Sequence, residues 1–88
     1  MNHPSSCKAH PYLENVLVLS TAHMPNSNPA FGGVRAVPFE YGFIVFVSEL
    51  DPIYWLRPIM EIAWRDECTL ILFDRDAGVD PELPEFDW

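Results

Sequence analysis

An α+β fold is predicted for this 88-residue chain: a small two-layer sandwich with a three- to four-stranded, mainly antiparallel sheet and one main helix, about 57–67, before the last strand. Three observations predict it. Short runs of β-branched and aliphatic residues recur at Asn15 to Thr21, Phe43 to Val47 and Thr69 to Phe73, each too short for a buried helix. A single stretch, Leu56 to Trp64, spaces its apolar residues as a helix does. Proline and glycine punctuate the intervals, where they end or turn an element.

Residues 1–12 carry His3-Pro4 and His10-Pro11 and read as an extended or frayed lead-in, because each X-Pro step disfavours helix and removes a donor. The single domain then runs over residues 13–88. Asn15 to Thr21 is its first strand. Pro25 to Gly33 is a long connection with room for one helical turn near Pro29 to Phe31. Val37 to Tyr41 and Phe43 to Val47 read as two strands, or one interrupted strand, with Gly42 as the hairpin or bulge position. The second of these is apolar on both faces and is expected to be central and covered on both sides.

Ser48 to Asp51 offers N-caps, and Pro52 and Pro58 suit a helix's first turn, so a short turn precedes the main helix. Leu56, Ile59, Met60, Ala63 and Trp64 form its buried stripe. Thr69 to Phe73 is the last strand. From Asp74 onward the chain is acidic, and Pro81 and Pro84 exclude a helix.

Composition narrows the function classes. Five Lys and Arg against 13 Asp and Glu give a net charge of −8, which argues against direct binding to a phosphate backbone. A field of that sign favours a basic protein partner, or serves solubility alone. Six Phe, three Tyr and three Trp are many for so thin a core, so some apolar surface is expected to meet a partner. Cys7 and Cys68 lack the dense spacing of a disulfide scaffold and fit a reducing compartment. With no basic-then-apolar leader and no membrane-length apolar run, the expected location is the cytoplasm of a bacterial host, with no membrane partner.

Three sets of residues have the composition of a chemical site. Cys7 and His10 have a C-x-x-H spacing that His3 and His23 could complete around zinc, but the spacing recurs by chance and most of the groups lie in the lead-in. His23 fits better as a strand-end histidine bonded to the loop that follows. Asp74, Asp76, Asp80 and Glu85 imitate a calcium loop, yet Gly78 is one place early and the prolines forbid the exiting helix. No nucleophile elbow, phosphate loop or convergent acid/base pair is present, so no cofactor, metal or catalysis is expected.

The most distinctive segment is the last. Asp74, Asp76, Asp80, Glu82, Glu85 and Asp87 stand against one base, Arg75, with Leu83, Phe86 and Trp88 interleaved. The apolar three are expected to fold back onto the sheet and the acids to face outward as a partner-binding surface, with exposed aromatics around Phe31, Tyr54 and Trp55 as a second one.

Leu19-Ser20-Thr21-Ala22-His23, Glu40-Tyr41-Gly42-Phe43-Ile44-Val45 and Cys68-Thr69-Leu70-Ile71-Leu72-Phe73-Asp74-Arg75-Asp76, leading to Leu83-Pro84-Glu85-Phe86-Asp87-Trp88, together resemble an uncharacterised family of short proteins on bacterial mobile elements. The resemblance brings no catalytic residue. It implies a phage or plasmid inhibitor of host defence, of anti-CRISPR or anti-restriction type, that occupies a basic surface. An antitoxin-like or regulatory binding module without nucleic-acid mimicry is the alternative, and a homodimer stays open.

Overall fold

The computed structural model describes residues 7–10 and 13–86 of the chain. Five strands form one sheet: β1 (Cys7–His10), β2 (Leu13–Leu19), β3 (Ala36–Phe39), β4 (Gly42–Phe46) and β5 (Leu70–Asp74). Their order is β1-β2-β5-β4-β3, and only the β2 to β5 pairing is parallel. The α+β class and, among the described residues, one α-helix before the last strand are as expected. The fifth strand arises because Cys7–His10, within the expected lead-in, pair with β2 as β1.

Side chains alternate across a pleated strand, so the register decides what shares a face. Leu17, Ile71 and Val45 stand in one row, and Leu19, Phe73 and Phe43 in the next. All but Phe43 are completely buried, and Phe43 packs against the same core. β5 is the central strand. β4 is interior, between β5 and the edge strand β3, as expected of Phe43 to Val47, but the core covers only its Phe43 and Val45 face and not the face of Ile44 and Phe46.

The helix α1 (Arg57–Arg65) covers this face with Ile59, Met60, Ile62 and Ala63. Leu56 and Pro58 open it, and Glu67 ends it in the left-handed region at φ 59°. That reversal lets the Cys68 N–H donate to the Ala63 carbonyl at 2.8 Å and sends the chain straight into β5. Trp64 is a correction to the expected stripe. It is 37% exposed, and Ile62 takes the inward place.

One short helix cannot cover the whole face, and loops complete the layer. Trp55 donates its indole N–H to the Ala30 carbonyl at 2.8 Å, which pins the long connection over the core. Phe31 then packs against both Phe43 and Trp55, with ring centroids 5.1 and 5.4 Å away. At the other end the C-terminal segment returns: Leu83 is buried, Phe86 packs on the core, and the Phe86 N–H donates to Ala22 at 2.8 Å. The inward folding of these two apolar residues matches expectation; Asp87 and Trp88 lie outside the described residues.

The first strand ends earlier than expected. Ser20 accepts from the Ala22 N–H through its hydroxyl at 3.0 Å and caps a 3-10 turn, Thr21–His23, that aims His23 into the core. The β3 to β4 hairpin turns at Glu40 and Tyr41, and Gly42 is the first residue of β4.

Candidate functional site

The acidic segment is anchored by one imidazole. His23 is 1% exposed. Its Nδ1 lies 2.8 Å from the Pro84 carbonyl oxygen, and its Nε2 lies 3.0 Å from the Asp80 backbone nitrogen. A carbonyl can only accept and a backbone N–H can only donate, so Nδ1 carries the proton, Nε2 accepts, and the ring is neutral. His23 is thus bonded to the far end of the chain and not to the loop that follows it.

This arrangement corrects the expected acidic face. Asp80 is 3% exposed, and its Oδ1 accepts the Glu82 N–H at 2.9 Å, so it is part of the turn's framework. Asp74 uses Oδ1 in the same way for the Asp76 N–H, also at 2.9 Å. Asp76, Glu82 and Glu85 are exposed and form the outward part of the segment. Arg65, on the last turn of α1, is held protonated more firmly than usual, first by its bond to Asp66 and then by the charges of Asp66, Glu82 and Asp80. The segment's field is therefore partly answered from within the molecule.

The two aromatic candidates divide. Tyr54 is 76% exposed, whereas Trp55 is buried at 4% and belongs to the core, because the turn before α1 points it inward. Among the described residues, the accessible tryptophan is Trp64. Its indole N–H donates to the Ser48 carbonyl at 2.9 Å, which fixes the ring at the wall of an open cleft of about 580 Å³ lined by Glu49, Ala63, Trp64, Glu67, Cys68 and Thr69. Among the described residues, neither Glu49 nor Glu67 stands in an ion pair. The cleft was not foreseen from sequence; the available signal was that tryptophan is seldom buried completely, so one at the end of a stripe tends to show an edge.

The second face of the sheet is apolar too. Val16, Leu70 and Phe46 share one row, and Val18, Leu72, Ile44 and Val37 the next. None belongs to the core or packs against it, since α1 and the returning C-terminal segment both lie on the opposite face. Arg35 borders the first row, with its guanidinium 4.7 Å above the Phe46 ring.

Cys7 and His10 lie on β1 and His3 lies outside the described residues, and among the described residues no group of three or more His, Cys, Asp and Glu could hold a metal ion. Cys68 is buried and disulfide-bonded, against the expectation of reduced thiols. No helix among the described residues is long and apolar enough to cross a membrane.

Residues 16–88 match the model of a family of unknown function (DUF5983), C-terminal domain. No curated protein and no solved structure matches the chain.

Proposed function

Because this chain belongs to the DUF5983 family, of unknown function, we propose a role from its own surfaces: it is a non-enzymatic binding protein that docks on a basic protein surface. The observation that carries this is the cleft in which the exposed ring of Trp64 lies with two carboxylates, Glu49 and Glu67. A Lys or Arg side chain entering it meets an aromatic face and two negative charges together, and a cation over tryptophan is worth about 0.5–2 kcal/mol. Asp76, Glu82 and Glu85 supply a second negative patch, which speeds encounter and orients the partner more than it adds affinity.

A defence complex that grips nucleic acid through a Lys/Arg-lined channel is the partner class this reading favours, and a cytoplasmic setting goes with it. The disulfide at Cys68 weighs against that setting, since cytosolic thiols are kept reduced.

An arginine- and lysine-rich peptide, titrated calorimetrically at low and high salt, tests the cleft. Glu49→Gln with Glu67→Gln should weaken binding about tenfold, or about 1.4 kcal/mol, and leave the melting temperature nearly unchanged, because exposed charges contribute little to folding. Asp76→Asn, Glu82→Gln and Glu85→Gln together should flatten the salt dependence; Asp80 is left out because it is structural. Unchanged affinity in both sets would show that these carboxylates are only a solvated surface.

A further inference from the structure

Cys68 is disulfide-bonded, and the chain has two cysteines. Backbone register places the other on the same side of the sheet: Cys7 is the β1 partner of Leu17, a residue of the core face, and Cys68 is buried in that core between α1 and β5. We infer that a Cys7–Cys68 disulfide is a redox-sensitive clasp that fastens β1 over the edge of β2, and that its reduction uncovers this edge while the core stays folded. The inference is independent of the basic-partner reading.

The strand it fastens is weak by itself. β1 has four residues, lies at the margin of the sheet, and its ladder is interrupted by a register shift between Lys8 and His10. A short, irregular edge strand has few bonds to hold it against fraying. A crosslink between residues so far apart in sequence removes much of the freedom that β1 would gain by leaving.

The other end of the clasp is held without it. The Cys68 N–H donates to the Ala63 carbonyl at 2.8 Å, the Thr69 N–H to the Asn15 carbonyl at 3.0 Å, and the Asn15 side-chain amide to the Glu67 carbonyl at 3.4 Å. These bonds keep α1, β2 and β5 together when the disulfide opens, so the loosening falls on β1. Cys68 is only 4% exposed, but it lines the open cleft beside Trp64, from which a small dithiol can approach. One thiolate of the dithiol attacks a sulfur of the bond and forms a mixed disulfide, and its second thiol then closes on the first. The chain gains two electrons and two protons as two thiols, and the reductant leaves as its own disulfide.

The two edges of the sheet differ in what they offer. At β3 the Phe46 N–H donates to the Arg35 carbonyl at 3.0 Å, so by alternation Val37 faces β4 while Ala36 and Pro38 turn outward, and proline has no N–H to give. That edge is blunted. At β2 the Asn15 carbonyl is turned to β5, so the N–H and carbonyl of Val16 are turned to Lys8 on β1. No proline interrupts β2. With β1 released, Val16 and Val18 present an unpaired ladder of the kind that accepts an extended strand.

Proteolysis of the unreduced full chain followed by mass spectrometry should yield one crosslinked pair of peptides, containing Cys7 and Cys68. Amide exchange followed by nuclear magnetic resonance should show Val16 and Val18 exchanging at least tenfold faster in dithiothreitol, with Leu17, Val45 and Ile71 unchanged. Cys7→Ser should exchange at the fast rate with or without dithiothreitol and keep the parent's circular dichroism. Two free thiols in the unreduced, denatured chain overturn the inference, as does a Val16 amide that does not respond to reduction. Equal acceleration at Val45 and Ile71, or an unfolded Cys7→Ser, overturns it as well, since the bond would then support the whole fold and not β1 alone.

Discussion

Gly42→Ala should abolish most or all of the cooperative unfolding transition. Gly42 opens β4 and pairs with Phe39 on one side and Asp74 on the other. A Cβ at this position would overlap the carbonyl oxygen of Phe73 and stand 2.7 Å from its carbonyl carbon, with the Thr21 methyl 3.3 Å away. The obstacle is backbone of the central strand, which cannot rotate aside as a side chain could. Phe73 is itself completely buried, with its ring 5.9 Å from that of Trp55, so moving it disturbs the core. Relief would require β4 to peel from β5 at the end where the Arg75 N–H donates to the Tyr41 carbonyl at 2.9 Å. A domain of this size holds about 4–13 kcal/mol of net stability, and we expect a loss above about 4 kcal/mol. Urea titration followed by far-ultraviolet circular dichroism measures it. An alanine variant within about 1 kcal/mol of the parent would mean that the hairpin shifts freely, against the packing described.

His23→Leu should cost about 1–3 kcal/mol or somewhat more, because it leaves one buried backbone N–H without its partner and removes the bond to a partly buried carbonyl. The groups are the Asp80 N–H and the Pro84 carbonyl, 57 and 61 residues away along the chain. Leucine matches the ring's volume closely enough that packing loss is secondary, so the change isolates the polar bridge. The loss should also be local: amide exchange at Asp80, Glu82, Leu83 and Phe86 should accelerate more than at Ile71 or Val45, whose strands His23 does not hold. Equal acceleration throughout would show that His23 supports the whole core and does not specifically fasten the C-terminal segment. The same reasoning removes Asp80 from any set of charges to be neutralised as a test of binding, since its loss would change the turn before it changed a surface.

Local pattern made the α+β class and the helix legible. The spacing of Ile59, Met60 and Ala63 is a property of neighbours on one helix, and Pro58 marks its start within a residue or two. The runs at Val16 to Leu19 and Leu70 to Phe73 announce strands through their side chains alone. The inward return of Leu83 and Phe86 was legible too, because apolar residues among acids have few other places to go. No local pattern could reveal that β1 joins the sheet or that β2 and β5 run parallel, since both depend on pairings between distant segments.

The candidate surfaces were less legible for the same reason. Asp76 and Asp80 are one residue type in one acidic run, yet one faces water and the other is 3% exposed because His23, far back in the chain, receives its N–H. Trp55 and Trp64 exchange their expected roles because α1 begins only at Arg57. The turn before it directs Trp55 to the Ala30 carbonyl, while Trp64 lies at the edge of the stripe, with its indole on Ser48 and one side open to the cleft. The sequence by itself determined where the chain extends, coils and turns, because those preferences act over a few bonds. Which polar or aromatic group faces the solvent was decided only by the tertiary structure, because exposure depends on segments that meet across the fold.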